Sequence, residues 1–336
     1  MIKISVLIPV YNVERFILRC VESIINQTMT DGVECIIVND CTPDKSIEIL
    51  EAKLADYSGP IIFKIINHEK NRGLAAARNT GIDNAIGEYI IHIDSDDFCE
   101  SDMLEKMYGY AVKRNSDVVI ADYYDSYKDR ECRQNGQPNG TEISYVKGLI
   151  KGEVLGYVWN KLIRRSLILN NNLRNIEGMD MWEDYYFILQ VFLVTNKISY
   201  LPCAFLHYVR NNPNSYTQNI KSDKKMLQNY IELEERTTSL YIAHNLYATC
   251  RKEILYRNIV FRNEILLRTA GDLQKQYNSY YNKPLSLSLL IGYGGIPVYW
   301  KVALLFASYN MLPIYNLVRS IWAKAKRISI EEVTIR

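Results

Sequence analysis

Residues 3–28 read KISVLIPVYNVERFILRCVESIINQT, and the reading of this stretch sets the fold class. Ile4–Val10 is a near-continuous apolar run rich in β-branched residues, as expected of a strand covered on both faces. Val13, Phe16, Ile17, Cys20, Val21, Ile24 and Ile25 then recur at helical spacing and put one apolar stripe on a helix. The alternation continues outward from there. Cys35–Val38 reads as a second strand, and Ile47, Leu50, Leu54 and Tyr57 mark a second amphipathic helix. Ile61–Ile66 gives a third strand, Leu74–Ala85 an Ala-rich helix, and Tyr89–Ile93 a fourth strand. Helix Met103–Val112 and strand Val118–Ala121 complete the series. Such a pattern predicts an α/β fold with a mostly parallel sheet, helices on both faces, and ligands bound beyond the carboxyl ends of the strands.

Bulk properties narrow the function. A chain of 336 residues allows two domains, or one large domain with an appendage. Hydrophobic residues at 48% and charged residues at 23% exclude general disorder. Lys+Arg 40 against Asp+Glu 38 leaves no global basic field, so no nucleic-acid partner is expected. Seven cysteines without a C-x-x-C pair argue against a zinc cluster or a disulfide framework. Met1 leads directly into the first strand without a signal-like segment, so a reducing cytoplasm is the expected compartment.

Polar residues sit where this architecture places a site. The first strand ends in Pro9-Val10-Tyr11-Asn12, the second in Asn39-Asp40, the fourth in Asp94-Ser95-Asp96-Asp97. Any one of these could simply cap a helix or solvate a turn. Three together make coincidence a poor account. Crowded carboxylates repel unless a cation or hydrogen-bond donors compensate, and hard oxygen ligands suit Mg²⁺ or Mn²⁺. An ion held by one or two carboxylates fills its shell with phosphate oxygens, so a phosphate-bearing ligand is the leading inference. No G-x-G-x-x-G follows the first strand and no G-x-x-x-x-G-K-[ST] occurs, which removes dinucleotide and P-loop readings. A metal bridging a diphosphate remains.

SVLIPVYNVERFILRCVESIINQT, CIIVNDCTPDKS, NRGLAAARNTGI and GEYIIHIDSDD, in this order and spacing, resemble glycosyltransferase family 2, the nucleotide-diphospho-sugar transferases with a GT-A fold. The likeness extends through VWNKLIRRSLI, MWEDYYF and HYVRNNPNSYT, covering residues 1–217. It implies a GT-A catalytic domain over 1–217, with a nucleotide-binding half at 1–100 and an acceptor half at 101–217. It also implies a nucleotide-diphospho-sugar donor with Mn²⁺ or Mg²⁺. Pro9 and Tyr11 would line the nucleobase pocket, and Asp40 would accept from the base, most naturally the imide N–H of uracil. Arg78 and Asn79, beside Gly73, would frame the ribose and diphosphate. Asp94, Ser95 and Asp96 form the D-x-D motif, with Asp94 and Asp96 as metal ligands, and His207 is a candidate third ligand. Asp184 matches the catalytic base. The sequence departs from the family at Cys41, commonly Gly, and at Asn39, often Asp.

The chemistry follows from those positions. Expelling a diphosphate from an anomeric carbon builds charge that a divalent ion neutralises. The incoming hydroxyl is a poor nucleophile, so a carboxylate must take its proton, and in-line attack inverts the anomeric centre. Such an enzyme would serve surface polysaccharide synthesis with a glycan or lipid-linked glycan acceptor. A catalytically silent nucleotide-sugar-binding or scaffold protein with the same pocket is the alternative. Trp159 and Lys161 read either as acceptor-side or as core residues, His207 equally as a packed histidine, and Arg210 as a diphosphate clamp or a solvated side chain. His68, His92 and His244 read as structural. Asp125–Glu142, polar and glycine-bearing, reads as an acceptor-side loop.

Residues 218–336 form a separate helical region on this reading. From Leu273 to Ile330 there is no Asp or Glu but seven bases, which leaves the remainder with 33 bases against 38 acids. Ile314, Leu317, Val318, Ile321, Trp322 and Ala325 form one apolar helix face. Residues 297–327 are therefore a candidate peripheral contact with the inner face of the cytoplasmic membrane. A helix packed on the catalytic domain or in a homodimer interface is the other reading.

Overall fold

Every residue of strand β1, Ile4–Val10, is buried. In this computed structural model, which describes residues 1–137, 144–179, 181–212, 224–280, 285–292, 294 and 296–325, β1 is the central strand on which the site is built. The chain divides into two compact units, Met1–Asn212 and Pro213–Arg336.

In the first unit, helix α1 (Ile17–Ile25) turns Ile17, Cys20, Val21 and Ile24 inward, the stripe read from the spacing. It is followed by β2 (Val33–Asn39), α2 (Ser46–Ala55), β3 (Ile62–Asn67), α3 (Leu74–Asn84) and β4 (Tyr89–His92). These strands lie in the order β3-β2-β1-β4, all parallel. The reversal of winding at β1/β4 is the place where open α/β sheets take ligands. Helix α3 presents Ala75, Ala76, Ala77 and Gly81 to the sheet, and a Cβ on Gly81 would approach Leu7 to 3.2 Å. Small residues thus let this helix lie close against β1.

The sheet then changes character. After β5 (Phe98–Cys99) and α4 (Met103–Arg114) come β6 (Val118–Ser126), β7 (Glu131–Gln134), α5 (Tyr145–Lys151), β8 (Lys161–Arg164), α6 (Arg165–Asn170), α7 (Glu183–Val194) and β9 (Ile198–Val209). Strand β8 joins β4 antiparallel, and β6, paired to β8, runs parallel to β9. The expected, mostly parallel sheet is continuous over β3-β2-β1-β4, and beyond it antiparallel pairs join the parallel β6–β9 pair. The strand expected at Val118–Ala121 continues to Ser126 and pairs antiparallel with β7, so Asp125–Gln134 is a hairpin rather than an irregular loop. Ion pairing makes a strand of these polar residues: Arg133 donates to Asp122 at 2.7 Å and Arg210 to Asp125 at 2.6 Å. Residues 138–142 of that expected loop lie outside the described residues.

The second unit contains helices α8 (Lys224–Ala243), α9 (Leu246–Thr249), α10 (Arg251–Arg268), α11 (Gly271–Tyr280), α12 (Leu287–Gly292), α13 (Val298–Ser308) and α14 (Leu312–Ala325). Tyr230 stacks edge-on against Tyr277 in its core, with ring centroids 5.4 Å apart. Arg319 is buried and donates to the carbonyls of Leu267 and Thr269 at 3.1 and 2.6 Å, closing the end of α10. No described helix is long and apolar enough to cross a membrane.

Candidate active site

Strands β1 and β2 stay paired as far as Val10 and Asn39, whereas the β1–β4 ladder stops at Leu7 and His92. Beyond that rung β4 leaves the sheet, and a crevice opens between the strand ends. Pro9 lies in this stretch, where its missing N–H is not needed by β4. Tyr11 follows at the rim, about half exposed at 48%.

On one side of the crevice Asp40 is buried and fully engaged. Its Oδ1 accepts from the Arg72 N–H at 2.8 Å and meets His68 Nδ1 at 2.7 Å. Its Oδ2 accepts from the Gly73 N–H at 2.8 Å. His68 in turn reaches Thr80 Oγ1 at 2.9 Å. Asp40 therefore clamps the loop that enters α3. Gly73 stands there at φ 89° and ψ 165°, a region essentially closed to other residues. Cys41 adopts φ 57°, as Asn12 does at φ 56° after β1.

Two consecutive residues of α3 then work in opposite directions. Asn79 exchanges hydrogen bonds with Asn175, donating to its carbonyl at 3.0 Å and accepting its N–H at 2.9 Å. It holds the segment before α7, as do Arg72 with Glu177 and Arg174 with Asp83. Arg78 is buried and bridges two acids, donating to Asp94 Oδ1 at 3.0 Å and to Glu183 Oε1 at 2.6 Å. The carboxylates around it keep Arg78 charged despite burial. Its partner Glu183 is pushed above the usual carboxylate range by burial and by the neighbouring Asp184 and Asp94, against the pull of Arg78.

Asp184 stands beside Glu183 in the first turn of α7, after Trp182, which caps the helix in the left-handed region at φ 61°. Asp184 feels Arg78, Asp94 and Lys161, so the helix start and the β4 terminus share one electrostatic environment. Burial raises its carboxyl, while Arg78 and the Tyr185 N–H pull it down. Lys161 is fully buried and donates to the carbonyls of Leu155 and Tyr157 at 2.8 and 2.6 Å and to Asn160 Oδ1 at 2.7 Å. It is thus a brace for residues 155–157 rather than a side chain presented to ligand. Burial lowers its ammonium to about 7, with Asp184 opposing. Trp159 is core, packed against Tyr123 and stacked on Tyr157 and Tyr208.

At the β4 terminus Ser95 is buried. Asp96 accepts from Asn212 Nδ2 at 2.8 Å and Asp97 from the Val209 N–H at 2.8 Å. Burial, then the neighbouring aspartates, raise both carboxyls. His92, beneath them on β4, has no partner for either ring nitrogen among the described residues, and burial and Arg78 lower it to about 3. His207 has both nitrogens committed, Nδ1 to Glu131 at 2.7 Å and Nε2 to Glu100 at 2.9 Å, with its ring stacked between Phe98 and Tyr124. That is the geometry of a packed, hydrogen-bonded histidine. A ligand role would require one of those bonds to break. Arg210, committed to Asp125 and lying over Tyr208, is likewise occupied.

Hard oxygen donors, the kind that suits a divalent ion, gather at the β4 terminus. Asp94, Glu183 and Asp184 surround Arg78, while Asp96 and Asp97 lie beside Asp94 with Arg19 as their nearby cation, and Lys161 lies near Asp184. Asp97 buries Oδ2 without a partner among the described residues. The second oxygens of Asp94 and Asp96 take no donor from another described residue. No three acidic, His or Cys side chains converge on one point among the described residues, so an ion held there would draw the rest of its shell from its ligand. Pairing of Arg78 and Glu183 across 105 residues left no mark in the sequence beyond the Glu-Asp dipeptide itself.

A half-parallel sheet with acids at the β4 terminus and an acidic helix start across the crevice defines the GT-A class of transferase folds. The crystal structure of S. aureus TarS 1–349 in complex with UDP-GlcNAc has the same fold, with a TM-score of 0.69 at 18% identity over 96% of this chain and 92% of that one. The profile of Glycosyl transferase family 2 matches residues 5–170. EpsH of Bacillus subtilis (strain 168), which carries a glycosyltransferase name, is 33% identical over 96% of both chains. A cholesterol galactosyltransferase of Borreliella burgdorferi is 29% identical over 98% of this chain and 94% of its own length. The chain belongs to glycosyltransferase family 2 and is a glycosyltransferase.

Proposed function

We propose that the chain is a metal-dependent, inverting glycosyltransferase that moves a sugar from a UDP-sugar to a hydroxyl of a glycan or lipid-linked glycan in surface polysaccharide synthesis. The observation that carries this reading is the Arg78 bridge, which ties Asp94 to Glu183 and so sets Asp184 across from the β4 acids. The UDP-GlcNAc held by TarS supports a UDP donor, and the lipid alcohol named for the Borreliella relative supports a lipid-borne acceptor.

In this reading residues 1–100 hold the nucleotide and 101–217 face the acceptor. Pro9 and Tyr11 flank the base, and Asp40 shapes its pocket through the Arg72–Gly73 loop. Asp94 and Asp96 would hold Mn²⁺ or Mg²⁺, which would supply charge neutralisation for the leaving diphosphate. Arg78 fixes the Asp94 carboxylate and adds positive potential behind it. Asp184 takes the proton of the acceptor hydroxyl as it attacks the anomeric carbon from the side opposite the diphosphate.

The test is UDP release by the purified chain with UDP-sugars and Mn²⁺. Chelation should abolish it and added Mn²⁺ restore it. Asp184→Asn should lower turnover about 10²–10⁴-fold with UDP affinity within about twofold of the parent. Near-normal turnover of that variant removes Asp184 as base. UDP-sugar binding without any turnover would leave a silent sugar-nucleotide binder.

A further inference from the structure

Helices α13 and α14 are apolar on both sides. In α14, Leu312, Tyr315, Arg319 and Ala323 face the interior of the second unit. On the opposite side stand Leu317 and Ile321, 61% and 60% exposed, flanked by Ile314 and Val318. In α13, Trp300, Ala303, Leu304 and Ala307 are buried, while Val298 and Val302 project outward at 71% and 45% exposure. Helix α12 repeats the device with Leu287 and Ile291, four residues apart and both exposed. Three successive helices, packed α12 on α13 and α13 on α14, thus each carry an outward apolar pair at i, i+4 spacing. A helix facing water normally turns charge outward, whereas Arg319 of α14 is buried and points inward.

The electrostatics select what covers this face. Residues 273–330 hold no acidic side chain and seven basic ones. Among the described bases Lys324 is exposed on the outward side of α14, and Lys301, half-buried, flanks Val298 on α13 and donates to the Ile291 carbonyl at 3.3 Å. An apolar face without a negative charge and rimmed by lysine matches an anionic lipid surface, where acyl chains take the apolar residues and headgroups the ammonium groups. Helix length excludes a span. At 1.5 Å per residue, α13 and α14, with 11 and 14 residues, reach about 16 and 21 Å, short of the ~30 Å hydrocarbon core.

We propose that the outward faces of α12, α13 and α14 form a peripheral docking surface for an anionic lipid bilayer, with the helices lying in the plane of the interface. The surface belongs to the second unit and stands apart from the sugar-transfer reading.

The test is co-sedimentation of the full chain with vesicles of phosphatidylglycerol, against vesicles of phosphatidylcholine alone. Binding should be strong on the anionic vesicles at low salt and weaken as salt is raised. The double substitution Leu317→Glu/Ile321→Glu should lower partitioning at least about tenfold while the far-ultraviolet circular dichroism and the melting temperature stay those of the parent. Both positions are already exposed, so folding is retained. A chain that stays in the supernatant at low salt overturns the proposal. So does parent-like vesicle binding by the double variant, or a parental dimer in solution that this variant splits to monomers, which would assign the face to a second copy.

Discussion

Arg78 Nη1 donates to Glu183 Oε1 at 2.6 Å while Nη2 of the same guanidinium holds Asp94, so one buried cation carries the spacing between the two acidic walls of the crevice. Removing a partner from a buried pair leaves an uncompensated charge and costs about 3–5 kcal/mol. Arg78→Met should therefore lower stability by about that amount in urea unfolding. Glu183→Gln added to it should restore part of the loss. Strictly additive losses would mean that the two side chains are not coupled.

Asp40 separates a structural from a recognition role. Its three donors come from His68, Arg72 and Gly73. Asp40→Ala should cost about 2–3 kcal/mol in the ligand-free protein, because two backbone N–H groups lose a charged acceptor. Unchanged stability with weakened UDP binding would make Asp40 a nucleobase contact alone.

Cys41 occupies the left-handed region at φ 57°, which costs a side-chain-bearing residue about 1–2 kcal/mol. The unfolded-state entropy of glycine returns part of that. Cys41→Gly should raise stability by up to about 1 kcal/mol, and Cys41→Val should lower it. Thermal melts of the three proteins decide.

Lys161 predicts a pH signature. Its ammonium falls to about 7 in the folded state, far below the ordinary lysine value. Between that point and about 10.4 the unfolded chain binds more proton than the folded one, so stability rises with pH there, by up to about 1.4 kcal/mol per unit. Below it the full penalty of charging a buried amine is already present. Lys161→Met lacks the slope. The stability difference between parent and variant should thus grow from pH 7 to pH 9.5 in urea melts, and a flat difference would place the amine's proton elsewhere.

The amino-terminal half was legible because each of its elements carries its own period. Ile4–Val10 is an apolar run of the right length, and the α1 stripe appears at every helical turn. Strand ends rich in Asp and Asn marked the crevice for the same local reason. What stayed hidden depends on partners distant in the chain. Strand β8 pairs with β4 through Leu162 and Ile163, but its first residue is a buried lysine whose three acceptors lie in residues 155–160. The polar 125–134 segment becomes a hairpin because Asp122 and Asp125 find arginines at 133 and 210. The bond of Asp40 to His68, 28 residues away, likewise left no local mark beside the ligand role expected of Asp40.

The β1–β4 ladder ends at Leu7 and the β1–β2 ladder at Val10, so Tyr11, Asn12 and Ser95 lie past the last rung of both. Tyr11, Asn12 and Ser95 can be re-lettered without disturbing a single interior rung. On the proposed reading, substrate preference can drift at those strand ends while the cohesion of the scaffold is decided elsewhere.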